Sequence, residues 1–255
     1  MEFVWVDIHV FDVKVLSKMI VYIEKLLIQV PRVRLCFSVV KGVMVPSHML
    51  TFPLALSVDV HWVENKGMDI GGHLLSMGYL LDSDYGTPSY ILHLHTKTCD
   101  SWRESMLEVV CSKASQCLKQ LNDNPTTMGV GNIVRVFDGK NFRRVVEIAT
   151  RCNLRLPEFT VNTRKIAKFP YQQPRFFAIS SPFNAVMGSM LWLRGNVWTT
   201  FFRDNRHYLQ SSLYSKFETG YVNDTRFEKY EYAFERIFGV VAHHHHMTIE
   251  ALKEC

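Results

Sequence analysis

Residues 90 to 106, "YILHLHTKTCDSWRESM", concentrate side chains that could do chemistry. An apolar, β-branched run ends in His95, Thr96 and Lys97, with Arg103 a few residues on and nothing acidic beside them until Asp100. One answer to such a strand end is an anion that is not part of the chain. Lys97 and a protonatable His95 would neutralise a diphosphate as it leaves, work that many enzymes give to a divalent ion. Arg103 would add a bidentate grip. His93 shares a strand face with His95, while Leu94 points the other way. The competing reading is a solvated strand end with one histidine in the core.

Three further stretches invite a chemical reading. "ENKGMDIGG" (64 to 72) opens a helix, and its glycines permit close backbone approach to the polar groups of a nucleotide sugar. The spacing is not that of a dinucleotide fingerprint, and a plain turn capped by Asp69 is the alternative. "DSD" (82 to 84) has the form of a metal-holding DxD, but it precedes a strand instead of following one, so an acidic loop is the better reading. "NAVMGSMLWLR" (184 to 194) sets Gly188 and Ser189 inside an apolar strand, where glycine often marks the approach of a ligand. Trp192 would offer its flat face to a sugar ring, against simple strand packing. The run His243 to His246 follows the last strong helix and reads as an exposed tract, not as a metal centre.

The elements that must position these residues follow from hydrophobic period. Strands are expected at 3–11, 32–40, 57–64 and 89–96, with helices at 17–30 and 68–81. Alternation of this kind gives a parallel sheet with crossover helices, an α/β doubly wound core that binds ligands beyond the carboxyl ends of its strands. Asp7, His9, Glu64, Asn65, His95, Thr96 and Lys97 are expected at such ends. A long helix at 102–123, a strand at 131–137 and helices at 140–154 and 227–242 follow, and no linker divides the chain.

Composition narrows the class. With 255 residues, 47% of them apolar and 21% charged, the chain is long enough to bury a core and is not disordered. No apolar run is long enough to cross a bilayer, and "MEFVWVDIHVFDV" reads as a first strand, not a signal peptide. A soluble cytoplasmic protein is expected. The six cysteines lack a repeated CxxC spacing, which suits free thiols. The net charge of +5 is modest and spread out, which fits a phosphate-bearing small ligand and ranks nucleic acid low.

Assembled in order, "VDIHVF", "NKGMDIGG", "LHLHTKT…WRESML", "GSMLWLR" and "EYAFERIFG" resemble the rhamnan synthesis protein F family of polysaccharide-building glycosyltransferases. The pieces span most of the chain, which is also similar to glycosyltransferase domains of large algal viruses, so a viral protein would work in the host cytoplasm. The resemblance implies a GT-A-like, Rossmann-type, mostly parallel sheet flanked by helices. It implies one domain over 1–255, with a nucleotide-sugar half (1–125) and an acceptor half (126–255). The implied activity is transfer of a sugar, L-rhamnose first in order, from a UDP- or dTDP-linked donor to a saccharide or glycan acceptor. On this resemblance Asn65, Gly67, Asp69, His95, Thr96 and Lys97 meet the donor, and the residues themselves add His9, His93 and Arg103 to the donor side. Gly188, Ser189 and Trp192 line the sugar or acceptor pocket. Met68 stands where the family usually has arginine, and Tyr232 where it commonly has histidine. An inverting transfer needs one carboxylate base. Asp69, Glu218, Asp224 and Glu231 are the candidates, with Asp224 first. No metal or other cofactor is required on this reading. The competing classes are a non-catalytic carbohydrate-binding module and a metal-dependent nucleotidyltransferase built on the DSD.

Overall fold

The computed structural model describes residues 2–96, 99–132, 134–136, 141–156, 183–186, 188–220 and 229–253. The first half alternates as expected: β1 (Val4–Val10), α1 (Val13–Gln29), β2 (Val33–Val40), β3 (Ser57–Val63), α2 (Met68–Asp82) and β4 (Tyr90–His95). α1 starts earlier than its apolar stripe suggests because the Asp12 carboxylate caps it, accepting from the amides of Lys14 at 2.8 Å and Val15 at 3.2 Å. Next come α3 (Asp100–Leu107), α4 (Ala114–Asp123), β5 (Thr127–Gly131), β6 (Val134–Val136) and α5 (Phe142–Arg151). The described chain closes with β7 (Asn184–Val186), β8 (Leu191–Arg194), α6 (Gly195–Asp204), α7 (Tyr230–His244) and β9 (Thr248–Ala251).

Seven strands form one sheet in the order β3-β2-β1-β4-β8-β5-β9. All run parallel except β8, which is antiparallel to both β4 and β5. This is the α/β, Rossmann-type, mostly parallel sheet flanked by helices that the sequence predicts. Side-chain alternation sends Val4, Val6, Ile8 and Val10 of β1 to a core shared with α1, α3 and α4. Trp5 goes to the opposite core, built from α2, α5, α6 and α7. β6 and β7 form a separate antiparallel ribbon.

Several expectations are corrected. The helix expected at 102–123 is interrupted by a π-type segment at Glu108–Ser112, so α3 and α4 are separate. β5 and β9 are strands that the reading missed: "TMGVG" is short and glycine-rich, and "TIEA" follows the histidine tract. Gly188 and Ser189 lie between β7 and β8, not inside a strand, with φ of 88° and 62°. His243 and His244 belong to the last turn of α7 instead of following it.

Candidate functional site

The carboxyl-terminal half of the sheet's α2-facing surface is polar, and register makes it so. Asp7 pairs with His93, and His9 lies between Ser38 on β2 and His95 on β4. These five residues share the face of Trp5, Cys36 and Ile91, so an apolar floor gives way to a polar one along the same strands. α2 covers it. Asp69 and His73 are one helical turn apart on α2 and point at the same neighbours.

A buried chain of charge results. The Asp7 carboxylate accepts from Nδ1 of His73 on one oxygen and from Nδ1 of His93 on the other. Nε2 of His73 accepts from the Trp198 indole at 2.9 Å, which places the His73 proton on Nδ1, toward Asp7. Nε2 of His93 faces Asp69 Oδ2 at 3.8 Å, and Nε2 of His95 lies 3.7 Å from the same oxygen. His95 donates to the Gly188 carbonyl at 2.9 Å, tying the site to the turn before β8. His9 shares a 3.1 Å hydrogen bond with Ser38 through Nδ1. Its Nε2, Nε2 of His93 and Oδ2 of Asp69 are buried without a hydrogen-bond partner among the described residues. Three orphaned polar atoms around the upper end of the network leave polar valence for a bound group.

Electrostatics sort these groups into roles. Burial alone would raise Asp7, but the charge of His93 and the hydrogen bonds from His93 and His73 outweigh it and hold the carboxyl well below its ordinary range. Asp69 behaves alike: burial opposes ionisation, and His95 and His93 prevail. For His93, burial is outweighed by Asp7 and Asp69, and its pKa is raised to about 9, so it is an imidazolium at neutral pH. Burial lowers His73, and it lowers His9 to about 4, so both are neutral. Two carboxylates therefore flank one fixed cation. The positive charge expected at the strand tips is, among these groups, outnumbered: two carboxylates face one imidazolium.

Asp7, His73 and His93 bring three ligand-type atoms close together. Nδ1 of His73, where the Trp198 indole places the proton, and Nδ1 of His93 both donate to Asp7, so an ion bound here would have to displace both protons.

The structure brings His9, Asp69, His93, His95, Gly188 and Ser189 to this place, and Gly67 opens α2 beside it with φ of 75°. Asp69 is not a helix cap. Gly67 occupies that position without a side-chain bond, and Asp69 is free to face the histidines. Thr96 is turned inward: its hydroxyl accepts from the Phe11 amide at 3.0 Å, and its own amide donates to the His9 carbonyl, clamping the ends of β1 and β4. Arg103 is fully buried and paired with Asp100 at 2.6 Å, which corrects its assignment as a grip on diphosphate. Trp192 is also corrected. It is fully buried in the core on the other side of the sheet, with its indole donating to the Val110 carbonyl at 2.8 Å, so no sugar can stack on it. Lys97 and Asp224 lie outside the described residues.

The remaining carboxylates sit at the rim. The loop before α2 is stitched to residues 217–220: Gly67 donates to the Glu218 carbonyl at 2.9 Å and Gly220 to that of Asn65 at 2.8 Å. The half-exposed Glu218 carboxylate pairs with Lys229 at 2.8 Å. Glu231 is buried and accepts from the Glu218 amide at 2.7 Å; burial raises its pKa, and its oxygen is committed to backbone. Sequence reasoning missed His73 and Trp198 as members of the site and saw Asp7 only as a polar residue at a strand end. The spacing of Asp69 and His73 on one helix face was the available signal. The sequence matches no protein-family model and no curated protein.

Proposed function

We propose that this chain is a glycosyltransferase that moves a hexose or deoxyhexose, L-rhamnose first in order, from a nucleoside diphosphate donor to a saccharide hydroxyl. The observation that carries the reading is the set of orphaned polar atoms on His9, His93 and Asp69, gathered at the carboxyl ends of β1 and β4 against the first turn of α2. Because two carboxylates face a single imidazolium, this set suits hydroxyl groups better than phosphates. Asp69 Oδ2 accepts from a sugar hydroxyl, and the His93 cation keeps that carboxylate ionised when water is excluded. Lys97, two positions beyond His95 in sequence, is the residue assigned to stabilise the leaving diphosphate without a resident metal.

The roles of the carboxylates follow from their environments. Asp69 is held too acidic to accept a proton well, and Glu231 is committed to the Glu218 amide. Glu218, half-exposed at the rim, is left to deprotonate the acceptor among the described residues. The nucleotidyltransferase reading would put its metal at the DSD, away from these polar atoms. Asp82 ends α2, roughly 20 Å from Asp69 at 1.5 Å per residue, and pairs with Arg206.

Donor hydrolysis across a panel of UDP- and dTDP-sugars, without acceptor and in excess EDTA, tests the proposal. The expected result is turnover of one deoxyhexose or hexose donor, reduced on the order of 100-fold in His95→Ala and in Lys97→Ala. Binding of free sugar with no turnover of any donor would favour the carbohydrate-binding module. Loss in EDTA with recovery in manganese would overturn metal independence.

A further inference from the structure

The outer edge of β3 stands apart from the site and carries chemistry of its own. β3 is the first strand of the sheet, and no strand among the described residues pairs with its far side. Edges of this kind are ordinarily blunted by lysine, proline or a bulge, because their free backbone groups recruit another strand. "SVDVHWV" contains no lysine, arginine or proline. Six large hydrophobic side chains are exposed among the described residues, and four of them belong here: Met44 (86%), Leu54 (63%), Leu56 (45%) and Trp62 (52%). Met44 and Trp62 line one cleft together with Val45 and Pro46. An edge strand of seven residues that the described residues leave unpaired, with Trp62 and Leu56 exposed beside it, is costly to leave in water, so the question is what covers it.

We propose that a second copy of this chain covers it, with the two β3 strands pairing antiparallel about a two-fold axis at Val60, so that the two sheets become one. The strand is complementary to itself in a single register. A two-fold axis normal to the sheet keeps each side chain on its own face, so only residues of like parity meet. Centring on Asp59 would set that carboxylate against its own copy. Centring on His61 would oppose two histidines and leave Asp59 facing Val63. Centring on Val60 places Asp59 opposite His61 twice and Val58 opposite Trp62 twice. A carboxylate facing an imidazole N–H donor and an aliphatic–aromatic pair are cross-strand combinations that stabilise antiparallel ladders. Both ionisable residues are prepared for it. His61 is stacked on Tyr79, with ring centroids 3.5 Å apart, and Asp59 lies within 3.5 Å of the Tyr85 hydroxyl, so each is held on the α2 face. Backbone direction agrees. The Val63 carbonyl accepts from Lys41 across the β2 side, so by alternation 58, 60 and 62 turn their amides and carbonyls outward.

Sedimentation velocity of the whole chain over a concentration series, with disulfide trapping, tests this. In a Cys99→Ser, Cys255→Ser background, Val60→Cys would face its own copy at a Cα separation of about 5.5 Å, within disulfide reach. Val58→Cys would face Trp62 instead. The expected result is a species of twice 29.6 kDa, with oxidation linking Val60→Cys and leaving Val58→Cys unlinked. A monomer at every concentration overturns the proposal. So does a dimer in which Val60→Cys stays unlinked, or one in which the two positions link equally. Far-UV melting curves confirm that each variant is folded.

Discussion

His93 sits between two carboxylates, and that placement governs how the chain responds to acid and base. Its pKa rises from 6.5 to about 9 on folding, so its stabilisation is complete below 6.5 and is lost as pH climbs through 9. His9 works in the opposite sense: lowered to about 4, it favours the folded state increasingly as pH rises from 4 to 6.5. Thermal stability should therefore peak near pH 6.5 to 7. A melting series from pH 4 to 10 should show a decline above the peak on the order of 3 kcal/mol. In His93→Gln that alkaline decline should flatten; an unchanged slope would show that His93 is not the titrating group. Much of the site was legible at this scale. His93, His95, His9 and Asp69 were all recognisable, because polar residues on an apolar strand or at a helix start are conspicuous by type. Asp7 was seen as an oddity but its partners were not, since His73 and His93 reach it across distant parts of the chain.

At the scale of elements, α2 is the part whose placement matters most. It approaches β1 and β2 so closely that a methyl group on Gly72 would lie 2.3 Å from His9 Nδ1 and 2.8 Å from Ser38 Oγ. Gly72→Ala should break the His9–Ser38 hydrogen bond or lift the helix, costing about 1–3 kcal/mol by overpacking and at least tenfold in donor turnover. Calorimetry and the donor assay would check this, and wild-type behaviour on both would mean that the contact is not required. The helix itself was plain from its period. Its close seating was not, because it depends on which strand residues lie opposite each glycine. Strands β5 and β9 escaped for a related reason: five residues with two glycines, and four residues after a histidine run, carry too little alternation to announce themselves. Trp192 misled because an aromatic strand residue has the same signature whether it faces a ligand or a core; only its bond to Val110 decides.

For the molecule as a whole, the two ends of α2 divide the acidic groups by purpose. Asp69 faces the sheet's carboxyl edge, whereas Asp82 holds an exposed pair with Arg206 at the other end. Asp82→Asn should cost less than about 1 kcal/mol and leave donor turnover within about twofold, as a surface ion pair allows. A collapse of activity in that variant would move the chemistry to the DSD. The alternation of strands and helices through residue 96 made the fold class readable. The reversed strand was not readable, because direction within a sheet leaves no mark on periodicity. That reversal also shapes how the chain matures. β8 slots between β4 and β5, so a nascent chain that has completed β4 carries an unfilled ladder until residues 191–194 leave the ribosome. The edge of β4 that faces β8 can be paired as in the folded sheet only after residues 191–194 have been synthesised.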